Sequence, residues 1–142
     1  MAFKEINIRD IKESAVKLIN DDWALVIASA DGVTNTMTVS WGGMGELWGK
    51  DVVFIFIRPQ RYTYELLEKS DTFSMSFFGG EYKKELGFCG KNSGRNVDKF
   101  AETGFTVAEF DGTATIEQAK INLVCKKIAF QDINPEGFLD ES

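Results

Sequence analysis

The chain contains four arginines, and three of them, Arg58, Arg61 and Arg95, sit in two short polar stretches, RPQRYT and KNSGRN. Each stretch lies between a strand-like and a helix-like segment. A guanidinium presents a planar fork of donors that suits bidentate contact with a phosphate. The turn before a helix starting near Tyr62 adds free N–H groups and the positive end of a helix dipole. Arg58, Gln60, Arg61 and Thr63 therefore form a candidate phosphate grip. The same spacing also allows Arg58 and Arg61 to cap a strand end and pair with Glu65 or Glu68 in solvent, and spacing alone does not separate the two readings.

A second constellation is Thr36-Met37-Thr38-Val39-Ser40-Trp41-Gly42-Gly43. Period-two alternation puts Thr36, Thr38 and Ser40 on one strand face, and the paired glycines let a flat ligand approach the backbone. A half-exposed strand running into a loop has the same signature. The third is the stretch from Gly87 to Phe100, GFCGKNSGRNVDKF, whose three glycines precede a helical turn. With Asn92, Ser93, Lys91, Arg95 and Lys99 it reads either as an anion-binding nest or as a capped connecting loop.

Other chemistries are excluded by residue type. The chain has no histidine, which removes Ser-His-Asp triads, Cys-His pairs, imidazole zinc sites and any histidine base. Its two cysteines, Cys89 and Cys125, form no C-x-x-C motif and read as buried thiols of a reducing compartment. The stretch Gly45 to Asp51 has one residue too few between its glycines for a phosphate loop, and Asp51 stands where Ser or Thr is needed. Trp48 occupies the third glycine position of a dinucleotide fingerprint. A net charge of −6 disfavours nucleic acid and anionic membrane surfaces as partners. The charged first eighteen residues lack the apolar region of a signal peptide, so a cytoplasmic location is expected.

The elements that must position these groups belong to one domain over residues 1–142, since 142 residues with 44% hydrophobic content, 12 Phe and only 2 Pro suffice for an ordinary core. WALVIASA followed by Asp31-Gly32 and TNTMTVSW predicts a hairpin. VVFIFI, Val52 to Ile57, is apolar on both faces and predicts a core strand buried on both sides. RYTYELLEK predicts a short helix, and TFSMSFF alternates as a strand ended by Gly79-Gly80. EYKKELGF and NVDKFAETG predict helical turns closed by Gly87 and Gly104. The remainder returns to strands with a turn at Asp111-Gly112. The fold class is mainly β, a closed or nearly closed barrel with short helical inserts.

Taken in order, TMTVSWGG, VVFIFIRPQRYTYE, FSMSFFG and FCGKNSGRNVDKF resemble the flavin reductase-like family of FMN-binding split barrels, in its flavoredoxin-type branch. The resemblance covers essentially the whole chain. It implies a homodimer of Greek-key barrels with FMN near the subunit seam, reduced by NADH, NADPH or another donor. It further implies that Thr38, Val39, Ser40, Trp41, Gly42 and Gly43 face the isoalloxazine. Arg58, Gln60, Arg61, Tyr62 and Thr63 would take the phosphate side, and Asn92, Ser93, Gly94 and Arg95 would close over the cofactor. No catalytic side chain and no metal are implied. Relatives usually continue past the point equivalent to Leu139 with a segment that often carries histidine. A flavin-dependent oxidoreductase is the leading expectation, and a non-catalytic FMN carrier or sensor is the alternative.

Overall fold

The computed structural model describes residues 3–140. Strands β1 (Ala24–Ala30) and β2 (Val33–Val39) form the expected hairpin, registered from Ala24 opposite Val39 to Ala30 opposite Val33. Asp31 and Gly32 both have positive φ, 52° and 77°, as a two-residue hairpin turn of this hand requires. Strands β3 (Gly42–Leu47) and β4 (Lys50–Ile55) pair through Trp48-Gly49, and β6 (Val107–Phe110) and β7 (Thr113–Ile116) through Asp111-Gly112, with the same backbone signs. The stretch that nearly matches a phosphate loop is thus a hairpin.

Strands β5 (Thr72–Phe77) and β8 (Ile121–Lys126) complete a four-stranded antiparallel sheet in the order β2-β1-β5-β8. The β3–β4 and β6–β7 pairs remain separate two-stranded sheets. The hydrogen-bonded ladder is thus interrupted between the three sheets, in keeping with the split barrel that the resemblance implies. Helices α1 (Tyr62–Lys69), α2 (Lys83–Lys91) and α3 (Lys99–Thr103) fill the connections. Among the described residues no helix is long and apolar enough to cross a membrane.

β4 is not buried on both faces; β1 is, as is β5 beside it. Ala24, Val26, Met37, Val39, Phe73, Met75 and Phe77 form one core cluster, while Leu25 and Ile27 point the other way into a second with Phe78, Leu86, Cys89, Phe105 and Ile116. β1 earns this position by lying between β2 and β5. Among the described residues β4 pairs with β3 alone, so Val53 and Ile55 pack inward while Phe54 and Phe56 stay 50% and 44% exposed.

One further expectation changes. α2 runs through Gly87 to Lys91, because Leu86 and Cys89, three residues apart on one face, both dock in the second cluster and carry the helix over the glycine. Gly104, with φ of 77°, does end α3. The polar face of β5 is buried: Ser74 donates to the Ala114 carbonyl at 2.6 Å and Ser76 to Asn122 Oδ1 at 2.5 Å. Buried hydroxyls need such acceptors.

Candidate functional site

The end of β2, the N-terminus of α1 and the exit of α2 converge at one polar junction. Asn35, buried on β2, donates to Thr63 Oγ1 at 3.1 Å and so ties the strand to the first turn of α1. Gly94 lies against the same amide: a Cβ there would stand 2.3 Å from Asn35 Oδ1. Only glycine lets the 92–98 loop descend this far onto β2.

The three clustered arginines take different partners. Arg61 leaves the N-cap of α1 and donates to the Gly90 carbonyl at 2.9 Å and the Cys89 carbonyl at 3.3 Å. Burial lowers its pKa, and repulsion from Arg58 lowers it further. Arg95 crosses the Tyr62 ring at 5.0 Å, pairs with Glu65 at 2.7 Å and donates to the Gln60 carbonyl at 3.3 Å. Arg58 lies over the Trp41 ring at 5.3 Å. The alternative in which Arg58 and Arg61 pair with Glu65 or Glu68 is not what forms, since Glu65 goes to Arg95 and Arg61 turns inward. Arg61 is half-buried against α2. The N–H groups of Tyr62 and Thr63 stand at the open end of α1, beside these guanidiniums.

The last carbonyls of α2 are accounted for one by one. The Asn92 amide donates to Phe88 at 3.0 Å, Arg61 takes Gly90, and Lys99 donates to Cys89 at 2.9 Å. Lys99 also donates to the Thr36 carbonyl at 2.7 Å and is only 2% exposed. Burial pushes its ammonium from 10.5 down to about 8; Cys89 offsets part of that fall and Arg61 adds to it. Burial pushes the Cys89 thiol up to about 11 and the Cys125 thiol up to about 12, so both are protonated and unreactive near neutrality.

The junction gathers Thr38, Arg61, Tyr62, Thr63, Asn92, Ser93, Gly94 and Arg95, with Gln60 joined through its carbonyl. Thr36, Thr38 and Ser40 do share a face, but the Thr36 hydroxyl donates to the Val26 carbonyl and the Thr38 hydroxyl to the Leu86 carbonyl, so both are engaged within the protein. Val39 is a core residue. Gly42 and Gly43 make room for Phe54: a Cβ would stand 2.3 Å from its carbonyl oxygen at Gly42 and 2.6 Å from its ring at Gly43. Trp41 and Arg58 line a large open groove shared with β4 and β8, and Arg58 adjoins the junction through its carbonyl, which accepts the Arg61 backbone N–H at 3.1 Å. Ser93 accepts the Arg95 N–H at 3.1 Å and fixes the loop from inside. Sequence reasoning missed Asn35, whose signal was an amide amid the hydroxyls of β2, and the burial of Lys99, which its place after the helix-capping Asp98 disguised.

The described residues thus set a cluster of guanidiniums beside a helix N-terminus on a sheet-rich fold. The flavin reductase like domain pattern matches residues 18–134, and the chain belongs to that family. Three solved structures share the fold. One is an FMN-binding domain of a flavin reductases-like enzyme from Shewanella baltica, at 21% identity and TM-score 0.70, covering 82% of this chain and 62% of that one. Flavoredoxin from Methanosarcina acetivorans, at 22% and 0.70, covers 94% and 68%. Flavoredoxin of Desulfovibrio vulgaris, at 21% and 0.72, covers 92% and 69%. The chain thus spans less than two thirds of the Shewanella protein. No curated protein matches it.

Proposed function

We propose that this chain binds FMN at the junction and acts as a flavin-dependent oxidoreductase that accepts electrons from a reduced nicotinamide. The observation that carries the reading is the grouping of Arg58, Arg61 and Arg95 around the open end of α1, in an otherwise acidic chain that belongs to the flavin reductase like family. The donor set fits the ligand. A phosphate finds guanidinium forks and first-turn N–H groups, and Gly94 keeps the covering loop low enough to line the same space.

Bound FMN supplies the hydride and electron chemistry, so the protein contributes position and charge. Arg61, braced on α2, and Arg58 orient the phosphate end. Arg95, on the Tyr62 ring, closes the near side through the 92–98 loop. Ser40 and Trp41 border the opposite end, beside the groove. The absence of histidine accords with a reaction in which no side chain need serve as a base.

The reading includes a homodimer. Phe54 on β4 and Phe56 just past its end, Val124 on β8, and Ile128 and Phe130 beyond it line the apolar groove and are exposed. The groove shares Trp41 and Arg58 with the junction, so a second copy seated there would help wall the flavin. A cytoplasmic location is supported by the two free thiols. The test is spectroscopic: purified protein should show flavin absorbance that bleaches on adding NADH or NADPH under anaerobic conditions. Absent flavin uptake overturns the binding site, and uptake without bleaching by either nicotinamide overturns the proposed donor.

A further inference from the structure

We infer that Lys99 is a positioning residue for this site, a buried cationic strut that sets Arg61 and the 92–98 loop for an anionic ligand, so that binding of the anion and protonation of Lys99 reinforce one another. The inference rests on the proposed FMN reading. Its geometry is specific. Lys99 is buried, its ammonium bridges the Thr36 carbonyl of β2 and the Cys89 carbonyl of α2, and no carboxylate among the described residues forms an ion pair with it.

An ammonium is seldom buried without a counter-charge. Two carbonyls and the negative end of α2 stabilise it only in part. Arg61 donates to the same Cys89 oxygen, so two cations share one acceptor and face the junction with a deficit of negative charge. A phosphate held by Arg58 and Arg61 would supply what is missing. Removing the proton from Lys99 would leave an amine that still donates but no longer carries charge, and the hold on the end of α2 and on Arg61 would slacken.

The titratable groups that face Lys99 are the Cys89 thiol from α2 and the Arg61 guanidinium from the segment before α1; β2 presents only a carbonyl. Its own pKa of about 8 places the transition within reach of experiment, and Cys89, at about 11, stays protonated across it. A dianionic phosphate near the ammonium should raise that pKa by about one unit, equivalent to about tenfold in affinity. The phosphate of FMN is itself fully ionised above pH 7.

FMN and riboflavin share the isoalloxazine and differ in the phosphate, so the ratio of their affinities isolates the effect. Both are titrated by flavin fluorescence at pH 7.0, 8.0, 8.8 and 9.5 with the wild-type protein and with Lys99→Met, which keeps the apolar stem. The FMN preference of the wild type should fall about five- to tenfold from pH 7.0 to 9.5, and that of Lys99→Met should stay flat. Should Lys99→Met fail to fold, calorimetry of FMN binding to the wild type at pH 8.5, in two buffers of different ionisation enthalpy, should register uptake of about half a proton. A flat preference in the wild type, an equal fall in a folded Lys99→Met, or no proton uptake overturns the strut. Failure of FMN to bind at pH 7.0 would instead overturn the FMN reading itself.

Discussion

The polar junction and the apolar groove are built on opposite principles. At the junction nearly every group is satisfied within the chain: Asn35 by Thr63, the end of α2 by Asn92, Arg61 and Lys99, and Glu65 by Arg95. Along the groove, Phe54, Phe56, Val124, Ile128 and Phe130 are exposed large apolar side chains. The contrast teaches that the chain fixes the geometry of the junction itself, since polar contacts depend on distance and direction, whereas the groove leaves exposed the non-directional apolar surface that the proposed second copy would cover.

The comparison breaks most visibly at the groove. Phe56→Glu places a charge in the proposed subunit contact and should raise the dimer dissociation constant at least about a hundredfold while leaving thermal unfolding of the monomer nearly unchanged, as sedimentation and calorimetry would register. An unaltered dimer would detach the groove from assembly. At the junction, Gly94→Ala forces a methyl against the Asn35 amide. The loop must rise, at a cost of about 1–3 kcal/mol, so FMN binding should weaken roughly five- to a hundredfold by fluorescence titration.

Asn35→Ala removes the tie to Thr63 and leaves a buried hydroxyl short of a partner, which should cost about 1–3 kcal/mol in urea unfolding. The smallest effect concerns Lys99. Its folded value of about 8 lies below the ordinary 10.5, so between those values the unfolded chain binds more protons and stability rises with pH; below about 8 the full cost of the buried charge is present. Relative to Lys99→Met, the wild type should gain about 1 kcal/mol from pH 8 to 9 in matched unfolding curves. Cys89 and Cys125, raised by burial, act in the opposite sense, but they are common to both proteins and cancel.

What was legible in the sequence was what local rules decide. Asp31-Gly32, Asp111-Gly112 and Gly104 each mark a backbone sign that few other residues tolerate, and each stands where the chain turns. Tyr62–Lys69 and Thr72–Phe77 carry clean periods and form as read. What was not legible depended on neighbours distant in sequence. VVFIFI reads as a doubly buried strand, but burial follows from place in the sheet, and β1 and β5 hold the central places. Gly87 reads as a helix stop, yet docking of Leu86 and Cys89 outweighs the propensity cost of one glycine, about 1 kcal/mol. The arginine cluster was visible as composition, while the turn of Arg61 toward α2 and the burial of Lys99 appear only once α1, α2 and α3 are brought together.

The central claim is that the junction is a phosphate site and that FMN is its ligand. Parallel fluorescence titrations of the flavin-free protein with FMN and riboflavin at pH 7 test it most directly. Loss of charge-assisted contacts of about 1.5–3 kcal/mol predicts that riboflavin binds roughly ten- to a hundredfold more weakly. Equal affinity for the two would contradict the account, because the arginines around α1 would then contribute nothing to holding the ligand.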